Sequence, residues 1–281
     1  MEFAGDDGLV DLVTTHGRLR RSGPAVTFGP DRSRWCPGSL DGGGEGPGEA
    51  HRPPLHLSWE LVGEDTCLQA TVSVRNDGTS PVRIWSLEPL VVEAGRGGDL
   101  RLNGPPPVWS VFTNGFQSWS GTRAWRTDEA DQDPPLRILR ASGTDPVHRS
   151  GGEAGLYKSD LVMGLRGHST GSGLAVGFLG GARQYGRVVL DVREGAFRSL
   201  AAVCDLDGVH LAPGEEVRSE TVQARFGADA VGLLERHAED LGQAQRARVP
   251  DRPPAGWCSW YYYFTKVTEA DVRENLEALA G

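Results

Sequence analysis

Leu55, Leu57, Trp59 and Leu61 alternate with His56, Ser58 and Glu60, and Leu68, Ala70, Val72 and Val74 alternate with polar residues in the same way. A period of two marks strands with one buried and one wetted face. The Asn76-Asp77-Gly78 turn then leads into Val82 and Ile84, which predicts adjacent antiparallel strands. Ala25 to Phe28 reads as an earlier strand. Further strands are predicted at Leu161 to Leu165, Leu174 to Leu179, Val188 to Val192 and Phe197 to Cys204. Val209 to Glu215 reads as a strand and turn, with a last strand in Val217 to Phe226. No repeat recurs at a fixed period.

The pattern changes near residue 229. Leu233, Leu234, His237, Ala238 and Leu241 fall on one side of a helix running from about Asp229 to Leu241, with His237 as a packing residue. Gln243 to Pro254 reads as a linker. Gly256 to Phe264, nine residues dense in aromatics and without charge, reads as a strand buried on both faces. Thr268 and Asp271 make a capping-box-like start for a closing helix, whose Val272, Leu276 and Leu279 form an apolar stripe.

Composition narrows the classes. A chain of 281 residues suggests two domains at roughly 150 residues each. A net charge of -9 argues against nucleic acid or an anionic membrane as partner. The N-terminus is acidic, with no apolar core of a secretory signal, and no run approaches the ~20 apolar residues of a membrane helix. A cytoplasmic location is therefore expected. The four cysteines (Cys36, Cys67, Cys204, Cys258) are scattered and read as free thiols. Neither Cys-x-x-Cys, His-x-His nor His-Glu-x-x-His spacing occurs, so neither metal nor cofactor is expected. The Gly- and Pro-rich segment between Cys36 and Pro54 reads as a mobile loop rather than a phosphate cradle. Asp128, Glu129, Asp131 and Asp133 lack the ligand spacing of a calcium loop and read as a solvated segment.

Two longer motifs carry a resemblance. Gly256-Trp-Cys-Ser-Trp-Tyr-Tyr-Tyr-Phe264, after Arg246-Ala-Arg-Val-Pro250, resembles the start of the catalytic barrel in family 36 glycoside hydrolases, the retaining, melibiase-type α-galactosidases. Val111-Phe-Thr-Asn-Gly-Phe-Gln-Ser-Trp-Ser120 resembles that family's Asn-Gly-Trp-Gln-Ser-Trp-Ser signature, with Phe116 where Trp is usual. Ser159-Asp160 and the Pro213-Gly214-Glu215 turn also resemble its sandwich domain.

The resemblance implies a mainly β protein. Residues 1–228 would form a large antiparallel β-sandwich, 229–252 a linking helix and linker, and 253–281 the first β/α unit of an incomplete (β/α)8 barrel. A complete barrel takes roughly 250 residues, so the chain reads as truncated just after its first barrel strand and helix. Retaining glycosidases use two carboxyl groups about 5–5.5 Å apart. By the resemblance both are aspartates on later barrel strands, beyond Gly281, so this chain carries no catalytic residue and is expected to be inactive alone. Its contribution would be substrate binding through Trp119, Trp260 and Tyr261. Strand alternation puts Trp260 and Tyr261 on opposite faces, which favours Tyr261 for the pocket. The implied partner is a small α-galactoside, with homo-oligomerisation left open. Two alternatives stand beside this reading. One is a related α-glycosidase or galactosyltransferase; the other is a non-catalytic carbohydrate-binding or assembly sandwich.

Overall fold

The structure is a computed structural model that describes residues 2–4, 9–38, 48–103, 109–115, 122–129 and 154–280. The chain divides into two compact units, Met1–Gln245 and Arg246–Gly281.

The described strands of the first unit begin with β1 (Glu2–Ala4), β2 (Leu9–Thr14), β3 (Gly17–Phe28), β4 (Ser33–Trp35), β5 (Gly48–Arg52) and β6 (Leu55–Glu64). Next come β7 (Cys67–Asn76), β8 (Val82–Glu93), β9 (Asp99–Arg101), β10 (Trp109–Thr113), β11 (Arg123–Arg126) and β12 (Leu156–Asp160). The last six are β13 (Val162–Gly167), β14 (Gly173–Phe178), β15 (Tyr185–Asp191), β16 (Ser199–Leu211), β17 (Glu216–Arg218) and β18 (Val222–Gly227). They form two sheets. One runs β1-β2-β3-β8-β16-β15-β12, with β4 and β9 also on β3; the other runs β11-β10-β13-β14-β18-β7-β6-β5, with β17 on β7. Every pairing is antiparallel.

The apolar positions of the alternation turn inward, but on β7 the face expected to be wet is covered as well, with Thr71 and Ser73 buried. Leu55, Leu57, Trp59, Leu68, Ala70, Val72 and Val74 from the second sheet share one core with Ile84, Leu87, Leu90, Leu200 and Ala202 from the first. This makes the unit a β-sandwich. Trp59 joins the layers through a polar contact as well, its Nε1–H donating to the Pro89 carbonyl at 2.7 Å. A buried indole N–H without such a partner would be costly.

The predicted helix is present as α1 (Ala230–Ala244), capped by Asp229, whose Oδ1 accepts from Val231 N at 3.1 Å. It lies against β13, β14 and β18. Glycines at the contact allow this approach: a Cβ on Gly177 would come within 2.5 Å of His237 Nε2, and one on Gly173 within 3.2 Å of Ala230. His237 is buried there, its Nδ1 3.3 Å from Gln223 Oε1. It packs as expected. The distal end of α1 is fixed by Gln245, whose Nε2 donates to the Leu179 carbonyl at 2.6 Å.

The second unit departs from the prediction. Residues 256–264 form no strand; Trp260–Tyr263 is one helical turn (α2), followed by a 3-10 turn over Phe264–Lys266. A strand needs a neighbour to take up its N–H and C=O groups. The described residues of this unit contain no second strand. A helical turn closes such bonds locally, and Tyr263 N donates to the Ser259 carbonyl at 2.9 Å. The first β/α unit of a barrel is therefore not formed here. The closing helix α3 (Glu269–Ala280) is present with its predicted cap: Thr268 N donates to Asp271 Oδ2 at 2.8 Å, and Asp271 N to Thr268 Oγ1 at 3.3 Å. Its apolar Leu276 and Leu279 are exposed.

Candidate functional site

The signature motif begins in regular structure. Val111 and Thr113 of β10 point into the sandwich and are buried. Thr113 Oγ1 accepts from Trp125 Nε1–H at 2.8 Å, tying β10 to its neighbour β11. Trp125 is itself covered by the Arg123 guanidinium, 3.9 Å above the ring.

Past the strand, Asn114 is bonded on several sides. Its main-chain N–H donates to Ser159 Oγ at 2.8 Å, and its Nδ2 to the Asp160 carbonyl at 2.9 Å. Asp160 N returns a bond to the Asn114 carbonyl at 3.0 Å. Ser159 Oγ donates in turn to the Val162 carbonyl. The Ser159-Asp160 pair noted in the sequence is thus the clamp on the signature's asparagine. Next along, Gly115 N donates to Thr122 Oγ1 at 2.9 Å. Gly115 and Thr122 are thus joined directly on the rim of the second sheet. Phe116 and Trp119 themselves lie outside the described residues.

The acidic segment beside this rim is taken up by arginines. Arg126 Nε lies 3.0 Å from Asp128 Oδ1, and Arg123 lies 3.8 Å from Glu129. The bond to Arg126 holds the Asp128 carboxyl below its usual range. Asp128 and Glu129 are thus ion-paired, as a solvated segment requires; Asp131 and Asp133 lie outside the described residues. The Tyr157 hydroxyl lies 2.7 Å from the Arg126 carbonyl and 2.8 Å from the Glu129 carbonyl, so its single proton serves one or the other.

Trp260 and Tyr261 belong to the second unit. On a helical turn successive side chains diverge by about 100°, so the opposite-face reasoning for a strand does not apply. Tyr261 is 94% exposed and Trp260 51%. Trp260 rests on Phe264 at a ring separation of 4.5 Å, and Tyr263 accepts a bond from Asn275 Nδ2 at 3.0 Å. Tyr261 is thus the aromatic most open to a ligand, while Tyr263 is tied to α3.

A feature the sequence did not suggest is a groove of about 780 Å³ against the first sheet, lined among others by Trp85, Glu88, Lys158, Tyr185, Arg187 and Asp205. Several of its charged groups already have partners. Arg187 bonds Asp205, Glu88 holds Arg34 at 2.7 Å, and Arg32 lies 3.8 Å above the Trp85 ring. Burial opposes the charge on Arg34, but the bonds to Glu88 and Glu93 outweigh it and raise its pKa. None of the described motif residues lines this groove, which leaves the rim around Asn114 as the candidate the motif points to.

No family model matches the chain. A stretch of 51 residues, 18% of this chain and 7% of the relative, is 37% identical to a protein of Arabidopsis thaliana named probable galactinol–sucrose galactosyltransferase 1. Among solved structures, an α-galactosidase of Lactobacillus brevis superposes on 91% of this chain and 36% of its own, with a TM-score of 0.51 and 11% identity. A family 36 α-galactosidase of Geobacillus stearothermophilus in complex with 1-deoxygalactonojirimycin matches 82% of this chain and 30% of its own, with a TM-score of 0.43 and 10% identity. The Lactobacillus brevis enzyme thus shares the fold of this chain. The chain spans about a third of the length of these solved enzymes.

Proposed function

We propose that this chain is the N-terminal, substrate-holding part of a retaining α-galactosidase, acting on terminal α-D-galactosides of oligosaccharides. The observation that carries the reading is the clamp of Asn114 by Ser159 and Asp160, with Gly115 bonded to Thr122. Trp119, four residues beyond Gly115 in the sequence, is the ring proposed to meet the C–H face of a sugar. Tyr261 and Trp260 are the further aromatics assigned to the galactose pocket, Tyr261 foremost. The nucleophile and acid/base are assigned to aspartates outside these 281 residues. A second reading, transfer of galactose to another sugar instead of to water, draws on the name of the Arabidopsis relative.

The test begins with the complete reading frame that contains this sequence, assayed on nitrophenyl α-galactoside beside the 281-residue chain. The chain alone should show no turnover and the full frame should. In the full frame Trp119→Ala should weaken galactoside binding by roughly thirty-fold, about 2 kcal/mol, with little change in Tm. Tyr261→Phe keeps the ring and should cost about 1 kcal/mol. Turnover by the 281-residue chain itself would overturn the placement of the catalytic groups. A normal KM in folded Trp119→Ala would remove that residue from the pocket.

A further inference from the structure

Strands β5 and β6 pair so that His51 stands directly opposite His56, and His56 in turn stands opposite Arg75 on β7. Directly opposed residues project from the same face of a sheet, and so do residues two apart on one strand. Glu49 therefore shares that face with His51. Ala50 and Leu57 point the other way and are buried, so the face carrying Glu49, His51 and His56 is the outer one. No familiar metal-binding spacing announces this group: His51 and His56 lie five residues apart and are set face to face by the pairing of β5 with β6.

We infer that Glu49, His51 and His56 form a binding site for one divalent transition-metal ion of the zinc class. One potential ligand atom from each lies within 4.8 Å of the others. Two imidazole nitrogens and a carboxylate oxygen suit zinc and its neighbours, whereas magnesium and calcium prefer all-oxygen sets. Tetrahedral coordination at about 2.0–2.1 Å per bond needs donors roughly 3.4 Å apart, so the three must converge. They are free to do so. His51 is exposed, the Glu49 side chain is 45% exposed, and the imidazoles are stacked at 4.3 Å. Water supplies the fourth ligand.

His56 is the key donor. Its Nε2 is buried without a hydrogen-bond partner, 3.5 Å from Glu49 Oε2. Its Nδ1 lies 2.9 Å from the Arg75 guanidinium and 3.8 Å from Asp77 Oδ2. Arginine can only donate, so in the metal-free chain the neutral ring carries its proton on Nε2. Metal binding takes the Nε2 lone pair, and the proton then resides on Nδ1. Asp77 becomes the acceptor for that N–H, the carboxylate–histidine–metal arrangement that orients many ligands. Arg75 gives up the imidazole and keeps Asp77, which it already bonds at 2.6 Å.

The ion would join β5 to β6 where β5 ends the sheet's order. An outermost strand has only one neighbour to hold it. A metal bound only by the folded pairing stabilises that pairing by mass action.

The untagged 281-residue chain, stripped with chelator, is titrated with zinc chloride by calorimetry, with magnesium chloride as control. One zinc per chain should bind in the micromolar range, magnesium should not, and cobalt(II) should give the intense visible bands of a tetrahedral site. His51→Ala and Glu49→Gln change exposed side chains, leave the fold intact by circular dichroism, and should each weaken zinc at least tenfold. Asp77→Asn should weaken it by about tenfold. Arg75→Ala should tighten it, because the competitor for Nδ1 is gone; a merely structural role for these residues predicts no such gain. Absence of zinc binding, or zinc binding unchanged in His51→Ala but lost in Cys258→Ser, overturns the site.

Discussion

Asn114 and Asp160 grip each other through two bonds, Nδ2 of Asn114 to the Asp160 carbonyl at 2.9 Å and Asp160 N to the Asn114 carbonyl at 3.0 Å. The second bond is main chain only and survives side-chain truncation; the first does not. Asn114→Ala should therefore lower unfolding free energy by about 1–2 kcal/mol, read by urea denaturation. In the full reading frame the same change should raise KM for galactosides, because the clamp adjoins the motif that carries Trp119. Unchanged KM with lowered stability would reduce the clamp to scaffolding.

Trp59 presents the opposite case, a bond across the core instead of at its rim. Trp59→Phe leaves the Pro89 carbonyl buried and unpaired, and also leaves a cavity. The two effects together should cost about 2–4 kcal/mol, visible as a lowered urea midpoint with an unchanged slope.

His237 makes stability depend on pH. Burial beneath α1 lowers its pKa from the ordinary value of 6.5, Asp240 opposing that shift and Arg225 adding to it. The unfolded chain then binds a proton at a pH where the folded chain does not. Its contribution is complete above about pH 6.5 and is lost as pH falls from there toward the lowered folded value. Urea midpoints at pH 7.5 and 5.5 should differ more in the native chain than in His237→Gln. Equal differences in the two proteins would assign the acid sensitivity to other groups.

Proteolysis reads the boundary between the units. Residues 246–259 have neither helix nor strand, and Arg246 and Arg248 are exposed. Brief trypsin digestion should cut first after these arginines and release a fragment ending near them that keeps its β-rich circular dichroism. Earlier cleavage inside β6 to β8 would contradict the compactness of the first unit.

How far the chain could be read follows from where its information lies. The alternation at Leu55–Leu61 and Leu68–Val74 is local, and β6 and β7 are found there, extended by a few residues. The helix at Asp229 was legible for the same reason: a cap and an apolar stripe are local signals. Residues 256–264 were misread because aromatic density records a preference for burial, and a strand exists only when a neighbour completes its ladder. The two strands read at Phe197–Cys204 and Val209–Glu215 are one, β16, which continues through register shifts against β8. The clamp on Asn114 was half visible, since the sequence marked Ser159 and Asp160 without revealing their partner. The trio Glu49, His51 and His56 was invisible, because pairing register is a property of the fold.

The bond from Gln245 to Leu179 gives the chain a fixed point of departure from the sandwich. The stretch that follows, residues 246–259, has neither helix nor strand and carries three prolines. Loss of the Gln245 side chain would free the Leu179 carbonyl and let the end of α1 fray, moving that point of departure back along the helix without altering a single core residue.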